Sequence, residues 1–161
     1  MDLTIVIVSF QSGEILHRCL KSINNKYPVI IIENSINYNL KVELENKYQN
    51  LKCILPDENL GYGAGNNLGI KQAKTKYVLI LNPDTILNDK TIPNLLVQAN
   101  IHKDFAIMGP RVIENENIIF NSNEDICTSV EYLKGFAILF NKEKFKDIDY
   151  FDENYFLYFE E

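Results

Sequence analysis

An apolar strand that ends in Asn82, Pro83 and Asp84 is the segment most suggestive of chemistry. Proline fixes its own φ at about −65° and pushes the preceding residue towards an extended conformation, so Asp84 should project from the end of the strand. A hard carboxylate there can hold a magnesium or manganese ion whose other ligands come from water and a diphosphate. Taken alone, the segment is equally typical of a turn in which Asp84 bonds to nearby backbone amides.

The segment from Asn59 to Gly69 contains five small residues and is predicted to lead into a helix at 66–73. Small residues allow a close backbone approach, and a helix start offers free amides to an anion such as phosphate. The spacing is not the dinucleotide fingerprint, because Asn66 and Leu68 break it, and the Gly-Lys-Ser/Thr of a Walker loop is absent. Glycine content alone favours a tight structural turn.

The sequence ends in Glu160 and Glu161, which follow an aromatic run at 155–159. Carboxylates beside apolar rings tend to have a raised pKa and can serve as general bases. Most adjacent glutamates are nevertheless solvated surface residues, and this feature alone favours that interpretation. His17 and His102 share no motif and are interpreted as ordinary surface or interface residues.

Continuous apolar runs at 3–10, 29–32 and 77–81 predict strands that are buried on both faces. Apolar residues at helical spacing separate these runs, and Ser12 is a candidate cap for the first helix. Alternating strands and helices are the signature of a doubly wound α/β sheet, which binds ligands at the carboxyl ends of its strands. The first two strands end in Ser9-Phe10 and Glu33-Asn34-Ser35, where a nucleotide base and ribose would lie, although each signal is weak.

The later sequence predicts a helix at 92–100 and shorter strands near 105–112 and 132–140. We expect these strands to complete a mixed sheet. No repeat or linker divides the chain, so residues 1–161 are predicted to form a single domain.

The net charge, the length of the apolar runs and the cysteine pattern argue against several classes of protein. A formal net charge of -6 and a pI near 5.0 argue against a nucleic-acid partner. No apolar run approaches the roughly 20 residues of a transmembrane helix, and the amino terminus does not resemble a signal peptide. The three cysteines form no disulfide or zinc pattern and suit a reducing cytoplasm.

Six segments in this order resemble the family-two glycosyltransferases, especially their rhamnosyltransferase-like bacterial branch. They cover nearly the whole chain and are more specific together than separately. The segments are Ile7-Val8-Ser9-Phe10, Glu33-Asn34-Ser35, residues 59–69, Leu81-Asn82-Pro83-Asp84, Gly135-Phe136-Ala137 and residues 156–161.

The resemblance implies a GT-A fold, a Rossmann-like mixed sheet flanked by helices, and a divalent metal, Mn²⁺ or Mg²⁺. It also implies a nucleoside-diphosphate sugar donor carrying UDP or dTDP, and inversion at the anomeric carbon. Asp84 would bind the metal and Asn82 would face the donor. The other donor-binding residues implied are Ser9, Phe10, Glu33 and Asn34 at the nucleoside, and Asn59, Gly61, Ala64 and Asn67 near the ribose and diphosphate.

Glu160-Glu161 matches the Glu-Asp motif of the family, so Glu161 would be the catalytic base with Glu160 beside it. The family usually continues into helices that hold the acceptor, and we therefore expect the chain to be truncated at its acceptor-binding part. The implied acceptor is a growing surface polysaccharide or a lipid-linked glycan. The implied location is the cytoplasm, with peripheral association at the inner face of the membrane left open.

Three alternatives remain at this stage. A non-catalytic nucleotide-sugar-binding fragment, or half of an assembled enzyme, is consistent with an early stop and would neither hydrolyse nor transfer the donor sugar. A nucleotidyltransferase would need a basic glycine-rich loop after the first strand, and residues 11–13 carry no base. A Rossmann oxidoreductase lacks its fingerprint.

Overall fold

A computed structural model describes residues 2–23, 25–111, 113–114, 117–118 and 127–156. The first half alternates strand and helix, as predicted: β1 Leu3–Ser9, α1 Gly13–Ser22, β2 Val29–Glu33, α2 Tyr38–Lys47, β3 Leu51–Ile54, α3 Gly61–Gln72 and β4 Tyr77–Leu81. The second half contains α4 Thr91–Ile101, β5 Ile107–Met108, β6 Ile113–Glu114, β7 Asn117–Ile118, β8 Ala137–Asn141 and a 3₁₀ turn at Lys142–Phe145.

Six of the strands form one mixed sheet in the order β3-β2-β1-β4-β8-β5. The four strands from the first half are parallel, whereas β8 runs antiparallel to both β4 and β5. The sheet reverses its winding between β1 and β4, which is the switch point where ligands bind to open α/β sheets. The predicted mixed sheet is confirmed, and β6 and β7 form a separate antiparallel pair.

The sheet is buried on both faces because alternate residues of its apolar strands feed two separate cores. One core combines residues such as Ile5, Ile7 and Ile31 with apolar side chains of α1, α2 and α4. The other combines Val6 and Val8 with Ile70 of α3 and with Phe151. Helices on both sides explain why the strands are continuously apolar instead of alternating.

The glycine-rich segment is helical, and this corrects the predicted turn before a helix at 66–73. Helix α3 begins at Gly61, five residues earlier than predicted. A Cβ atom added at Gly69 would lie 2.3 Å from Val6 Cγ1, and one at Gly65 would lie 3.0 Å from Val8 Cγ2. The glycines therefore allow α3 to lie directly on β1, and this packing outweighs their low helix propensity.

The helix starts differ in how they are capped. Asn37 caps α2, because its Oδ1 accepts a 3.0 Å hydrogen bond from Leu40 N–H. Ser12 precedes α1, but its hydroxyl donates to the Phe10 carbonyl instead of capping the helix, so that prediction is wrong. None of the helices in the described ranges is long and apolar enough to cross a membrane.

Candidate functional site

The register of the parallel strands brings the predicted site residues to one edge of the sheet. Ser9 pairs with Glu33 across β1 and β2, and Ile7 pairs with Leu81 across β1 and β4. Asn82 follows Leu81 directly, so it lies beside the end of β1. The switch point is therefore flanked by a hydroxyl, a carboxylate and a carboxamide.

The Glu33 carboxylate is fully buried, and one half of it is held by its own loop. Its Oε1 accepts hydrogen bonds from the Ser35 N–H at 3.0 Å and from the Ser35 hydroxyl. The Gln11 N–H donates to the Ser35 hydroxyl oxygen at 3.4 Å, which links the loops after β1 and β2. The other oxygen, Oε2, is buried and has no hydrogen-bond partner.

Two residues in these loops have a left-handed backbone. Gln11 has φ 52° and Ile36 has φ 57°. The β-branched side chain makes this conformation unfavourable for Ile36, and strain of this kind concentrates at functional sites. Gln11 lies in the connection after β1 and donates its N–H to the Ser35 hydroxyl, and Ile36 follows Ser35 directly in the connection after β2.

Asn34 connects the end of β2 to the start of α3. Its backbone N–H donates to the Ser9 carbonyl at 2.7 Å, and its side-chain Nδ2 donates to the Gly61 carbonyl at 3.0 Å. Asn59 completes the connection, because its Oδ1 accepts from the Gly61 N–H at 3.0 Å. Gly61 has φ 76°, a conformation that glycine adopts without strain.

The Asn82-Pro83-Asp84 segment is held by the backbone that precedes β8. The Asn82 N–H donates to the Phe136 carbonyl at 2.9 Å, and the Thr85 hydroxyl donates to the same carbonyl at 3.2 Å. Asp84 is exposed at the end of the segment. This placement agrees with the expectation that the carboxylate projects from the edge of the sheet.

Cys19 of α1 lies directly behind this segment. Its thiol donates to the Asn82 carbonyl at 3.7 Å. Burial, and to a smaller extent the negative charge of Asp84, raise the pKa of the Cys19 thiol to about 12.

Buried side-chain atoms without a hydrogen-bond partner concentrate at this edge. Within the described residues there are eight such atoms, and four of them are Ser9 Oγ, Glu33 Oε2, Asn34 Oδ1 and Asn82 Oδ1. Buried polar atoms in folded proteins are rarely left unpaired, because each costs about 1–3 kcal/mol. A polar ligand at the carboxyl edge would provide the missing partners.

The remaining predicted residues are placed differently. Phe10 is half exposed beside the edge, and Ala64 is partly buried in the first turn of α3. Asn67 is fully buried, and both ends of its carboxamide are hydrogen-bonded to the segment around Phe151. Glu160 and Glu161 lie outside the described residues.

The first two backbone amides of helix α3 are not free to bind a phosphate. The Gly61 N–H donates to Asn59, and the Tyr62 N–H donates to the Phe156 carbonyl at 3.1 Å. Two amides at the start of the helix are therefore satisfied by the protein itself.

Sequence reasoning missed the supporting contacts of three residues. Ser35 holds Glu33, Cys19 supports Asn82, and the Tyr62 hydroxyl donates to the Gly135 carbonyl at 2.7 Å. Ser35 and Tyr62 lie in segments that the motifs singled out, and Ser35 stands two residues after a strand-terminal carboxylate, a spacing at which a hydroxyl readily bonds back to it. No sequence signal points to the contacts of Cys19 and Tyr62, because their partners are 63 and 73 residues away.

A divalent metal fits this edge only as a site with few protein ligands. No cluster of three or more His, Cys, Asp or Glu side chains occurs in the parts of the chain that the structure describes. Magnesium and manganese can be held by one carboxylate together with water and substrate phosphates. The exposed Asp84 carboxylate, beside the unpartnered Asn82 Oδ1, satisfies that requirement.

The doubly wound mixed sheet, with polar groups at its switch point and a carboxylate after β4, is the architecture of the GT-A class of α/β proteins. Residues 4–161 match the sequence model of glycosyl transferase family 2, and the chain belongs to that family. The family and fold implied by the sequence motifs are confirmed.

Similar proteins agree with this assignment. The chain is 26% identical to the low-salt glycan biosynthesis hexosyltransferase Agl10 of Haloferax volcanii, over 99% of this chain and 59% of that protein. Its fold is similar to that of S. aureus TarS in complex with UDP, with a TM-score of 0.73, 19% identity and coverage of 96% of this chain and 51% of that chain.

A second structural relative is the mannosyltransferase PcManGT from Pyrobaculum calidifontis in complex with GDP-Man and Mn²⁺. The TM-score is 0.69 at 12% identity, and the match covers 94% of this chain and 48% of that chain. The chain thus spans about half the length of these proteins.

Proposed function

We propose that this chain binds a nucleoside-diphosphate sugar and transfers the sugar, with inversion, to a hydroxyl group of a glycan or lipid-linked acceptor. Family membership supports a sugar-transfer reaction. The relatives bound to UDP and to GDP-Man support a nucleotide-sugar donor. The rhamnosyltransferase-like branch and the single-domain boundary at 1–161 remain predictions.

The observation that carries the proposal is the set of four unpartnered polar atoms at the switch point. Glu33 Oε2 and Asn34 Oδ1 are acceptors that suit the N–H and O–H donors of a base and a ribose. The Ser9 hydroxyl can donate as well as accept. Binding a nucleoside would satisfy groups that are otherwise buried at a cost.

Asp84 is the residue proposed to hold the divalent metal, with the Asn82 carboxamide facing the donor. When bound, the metal would offset the negative charge that develops on the departing diphosphate. Two hydrogen bonds to the Phe136 carbonyl, from the Asn82 N–H and from the Thr85 hydroxyl, hold this segment in place. A backbone held in this way needs little reorganisation when a ligand binds to the side chain of Asp84.

The proposed transfer is a single displacement. Glu161 accepts the proton of the acceptor hydroxyl, whose oxygen then forms a bond to the anomeric carbon. The bond from that carbon to the diphosphate breaks on the opposite face, and the configuration inverts. General-base catalysis of this kind contributes a rate factor of roughly 10² to 10⁴.

Calorimetric titration with UDP, dTDP and GDP, with and without Mn²⁺, tests the donor site. We expect one nucleotide to bind the wild-type chain in a Mn²⁺-dependent manner and the Asp84→Ala variant to lose that dependence. Asp57→Ala is a matched control, since Asp57 is an exposed carboxylate in the loop before α3. Unchanged metal-dependent binding in Asp84→Ala would refute the assignment of Asp84.

Release of nucleotide from the donor sugar separates an enzyme from a binding module. We expect the chain to release nucleotide slowly from the sugar donor of its preferred base, and Glu161→Gln to abolish release while leaving nucleotide affinity unchanged. A chain that binds the nucleotide but never turns over the donor sugar, even with acceptor glycans supplied, would be a binding module.

A further inference from the structure

Asn67 of α3 is bonded to a different part of the chain from the other predicted donor residues. Its Oδ1 accepts from the Phe151 N–H at 3.1 Å, and its Nδ2 donates to the Phe151 carbonyl at 2.9 Å. The same Nδ2 group donates to Glu153 Oε1 at 2.8 Å. The side chain thus pairs with the backbone of residue 151 as a neighbouring strand would.

The orientation of this carboxamide is fixed by its partners. A backbone N–H can only donate and a backbone carbonyl can only accept, so Oδ1 must face the first and Nδ2 the second. Asn67 is fully buried, so no part of the side chain is turned towards solvent. Both N–H groups of Nδ2 already donate to residues 151 and 153, so neither is left for an approaching diphosphate.

A second contact holds the other end of the same segment. The Tyr62 N–H donates to the Phe156 carbonyl at 3.1 Å, and a Cβ atom on Gly61 would lie 2.3 Å from that carbonyl oxygen. Between the two contacts, the buried Phe151 ring packs edge-on against Tyr62, with 5.7 Å between ring centroids. The segment 151–156 is therefore docked on α3 at both ends.

The docked segment leads directly to the proposed catalytic acids. Glu161 follows Phe156 by five residues, and five extended residues span at most about 18 Å. A displacement of Phe156 would therefore move the point from which the chain continues to Glu161. A shift of about 1 Å in a reacting group can lower a rate roughly 10²-fold.

From this geometry we infer that Asn67 is a positioning residue: it anchors the segment 151–156 to α3 and thereby positions the acids that follow, and it does not contact the donor. The effect of Asn67 on catalysis depends on the proposed function being correct. The anchoring itself can be tested without any turnover.

Asn67→Asp is the most informative variant, because it preserves the size of the side chain and changes one donor group. When ionised, the new carboxylate faces the Phe151 carbonyl and Glu153, and the segment should be released. When protonated, its O–H can donate to one of those oxygens while the other oxygen still accepts from Phe151 N–H. Docking should therefore recover as pH falls.

The charged groups near this position affect the pH at which docking recovers. Glu153 and burial both favour the protonated form of the new carboxyl group. Lys71 acts in the opposite sense from the next turn of α3, with its Nζ 3.7 Å from Glu153 Oε1 and 3.8 Å from Asp149 Oδ1. Asn67→Ala can make neither bond at any pH and should show no recovery.

Asn141→Asp is the matched control for loss of a buried carboxamide. Asn141 is 1% exposed, and its Nδ2 donates to the Phe105 carbonyl at 3.2 Å. It pairs with Tyr77 at the opposite edge of the sheet from the candidate site. General destabilisation should appear in both Asp variants, whereas release of the segment 151–156 should appear only in the variant at Asn67.

Amide hydrogen exchange and UDP calorimetry on the full chain test the inference. In Asn67→Asp, exchange of the peptide covering 151–161 should rise about tenfold over wild type at pH 8 and return to the wild-type rate at pH 5. The UDP dissociation constant should stay within about twofold of wild type, while turnover of the sugar donor that the wild-type chain accepts should fall roughly 10²-fold at pH 8.

Unchanged exchange of the 151–161 peptide in Asn67→Asp would overturn the inference, whatever happens to UDP. Loss of UDP binding with normal exchange would make Asn67 a donor ligand instead. If the wild-type chain bound no nucleotide, the proposed function would fail, but the exchange comparison would still decide whether Asn67 anchors the segment.

Discussion

The side-chain amide of Asn34 donates a 3.0 Å hydrogen bond to the carbonyl oxygen of Gly61, joining the end of β2 to the first residue of α3. Gly61 is held on its other side by Asn59, which accepts from its N–H. The start of the glycine-rich helix is thereby fixed relative to the buried carboxylate of Glu33. The Asn34 carboxamide therefore makes a structural hydrogen bond through Nδ2 and keeps Oδ1 as an acceptor for the proposed nucleoside.

Asn34→Ala should lower both stability and nucleotide affinity. The Gly61 carbonyl would lose its side-chain donor in a buried position, which costs about 1–3 kcal/mol in the free energy of unfolding. Urea denaturation measures this loss, and calorimetry measures the weaker binding. Asn39→Ala, at an exposed position of α2, should change stability by less than about 0.5 kcal/mol. A variant at Asn34 as stable as this control would contradict the structural role.

Gly69→Ala should destabilise the chain through overpacking. The new methyl group would lie 2.3 Å from Val6 Cγ1, and insertions into a packed core cost about 1–3 kcal/mol. Gly13→Ala is the control, since a Cβ atom there has nothing within 4 Å and the substitution should stabilise α1 by about 0.4–1 kcal/mol.

The double variant with Val6→Ala identifies the cause of that destabilisation. Removing the Val6 methyl groups creates room for the methyl group of Gly69→Ala, so the two substitutions together should be less destabilising than their sum. A coupling energy of about 0.5–3 kcal/mol is expected from urea denaturation. Strict additivity would mean that a clash with Val6 is not the cause of the stability lost in Gly69→Ala.

The parallel strands could be predicted from sequence because burial on both faces makes them continuously apolar. The strands at Val29–Ile32 and Tyr77–Leu81 could be predicted without knowing which strands pair with them. Polar residues at strand ends could also be identified, since Glu33 and Asn82 interrupt apolar runs abruptly. These local signals were sufficient to predict that the polar residues lie at the carboxyl ends of the strands.

Features decided by distant contacts could not be predicted. Helix α3 begins at Gly61 because its glycines allow it to pack closely on the sheet. Helix propensity alone disfavours that start. The Asn67 carboxamide is bonded to a residue 84 positions later in the chain. Only the tertiary structure reveals that this asparagine faces Phe151 and not the strand ends.

The buried cysteines predict a loss of stability in alkali. Burial is the main cause that raises the pKa of both Cys19 and Cys53 to about 12, from an ordinary value of 9.0. Between pH 9 and about 12 the unfolded thiols ionise while the folded thiols stay protonated, so the folded state binds more protons and stability falls as pH rises. Each thiol contributes roughly 1.4 kcal/mol per pH unit to this slope.

Cys53→Ala isolates one of these contributions. Urea denaturation of wild type and variant between pH 8 and 11 should show a shallower decline in the variant, because one raised pKa is removed. Comparing slopes cancels the constant cost of the smaller side chain and the titration of tyrosines and lysines common to both proteins. Parallel declines in the two proteins would mean that the Cys53 thiol ionises normally in the folded state.

The electrostatic contact between Asp84 and Cys19 gives a test of where the proposed metal ligand lies. Burial is the larger cause of the raised Cys19 pKa and the Asp84 charge the smaller, so Asp84→Asn should lower that pKa while leaving it above its ordinary value. The Cys19 thiol is only 1% exposed, so its ionisation has to be followed inside the folded chain, by NMR of its Cβ carbon. In the Cys53→Ala, Cys127→Ala background, where Cys19 is the only thiol in the sequence, titration should begin at a lower pH in Asp84→Asn than with Asp84 present. Asp89→Asn, which removes an exposed carboxylate before α4, is the control. Equal titration curves in both variants would show that the Asp84 carboxylate does not act on the Cys19 thiol.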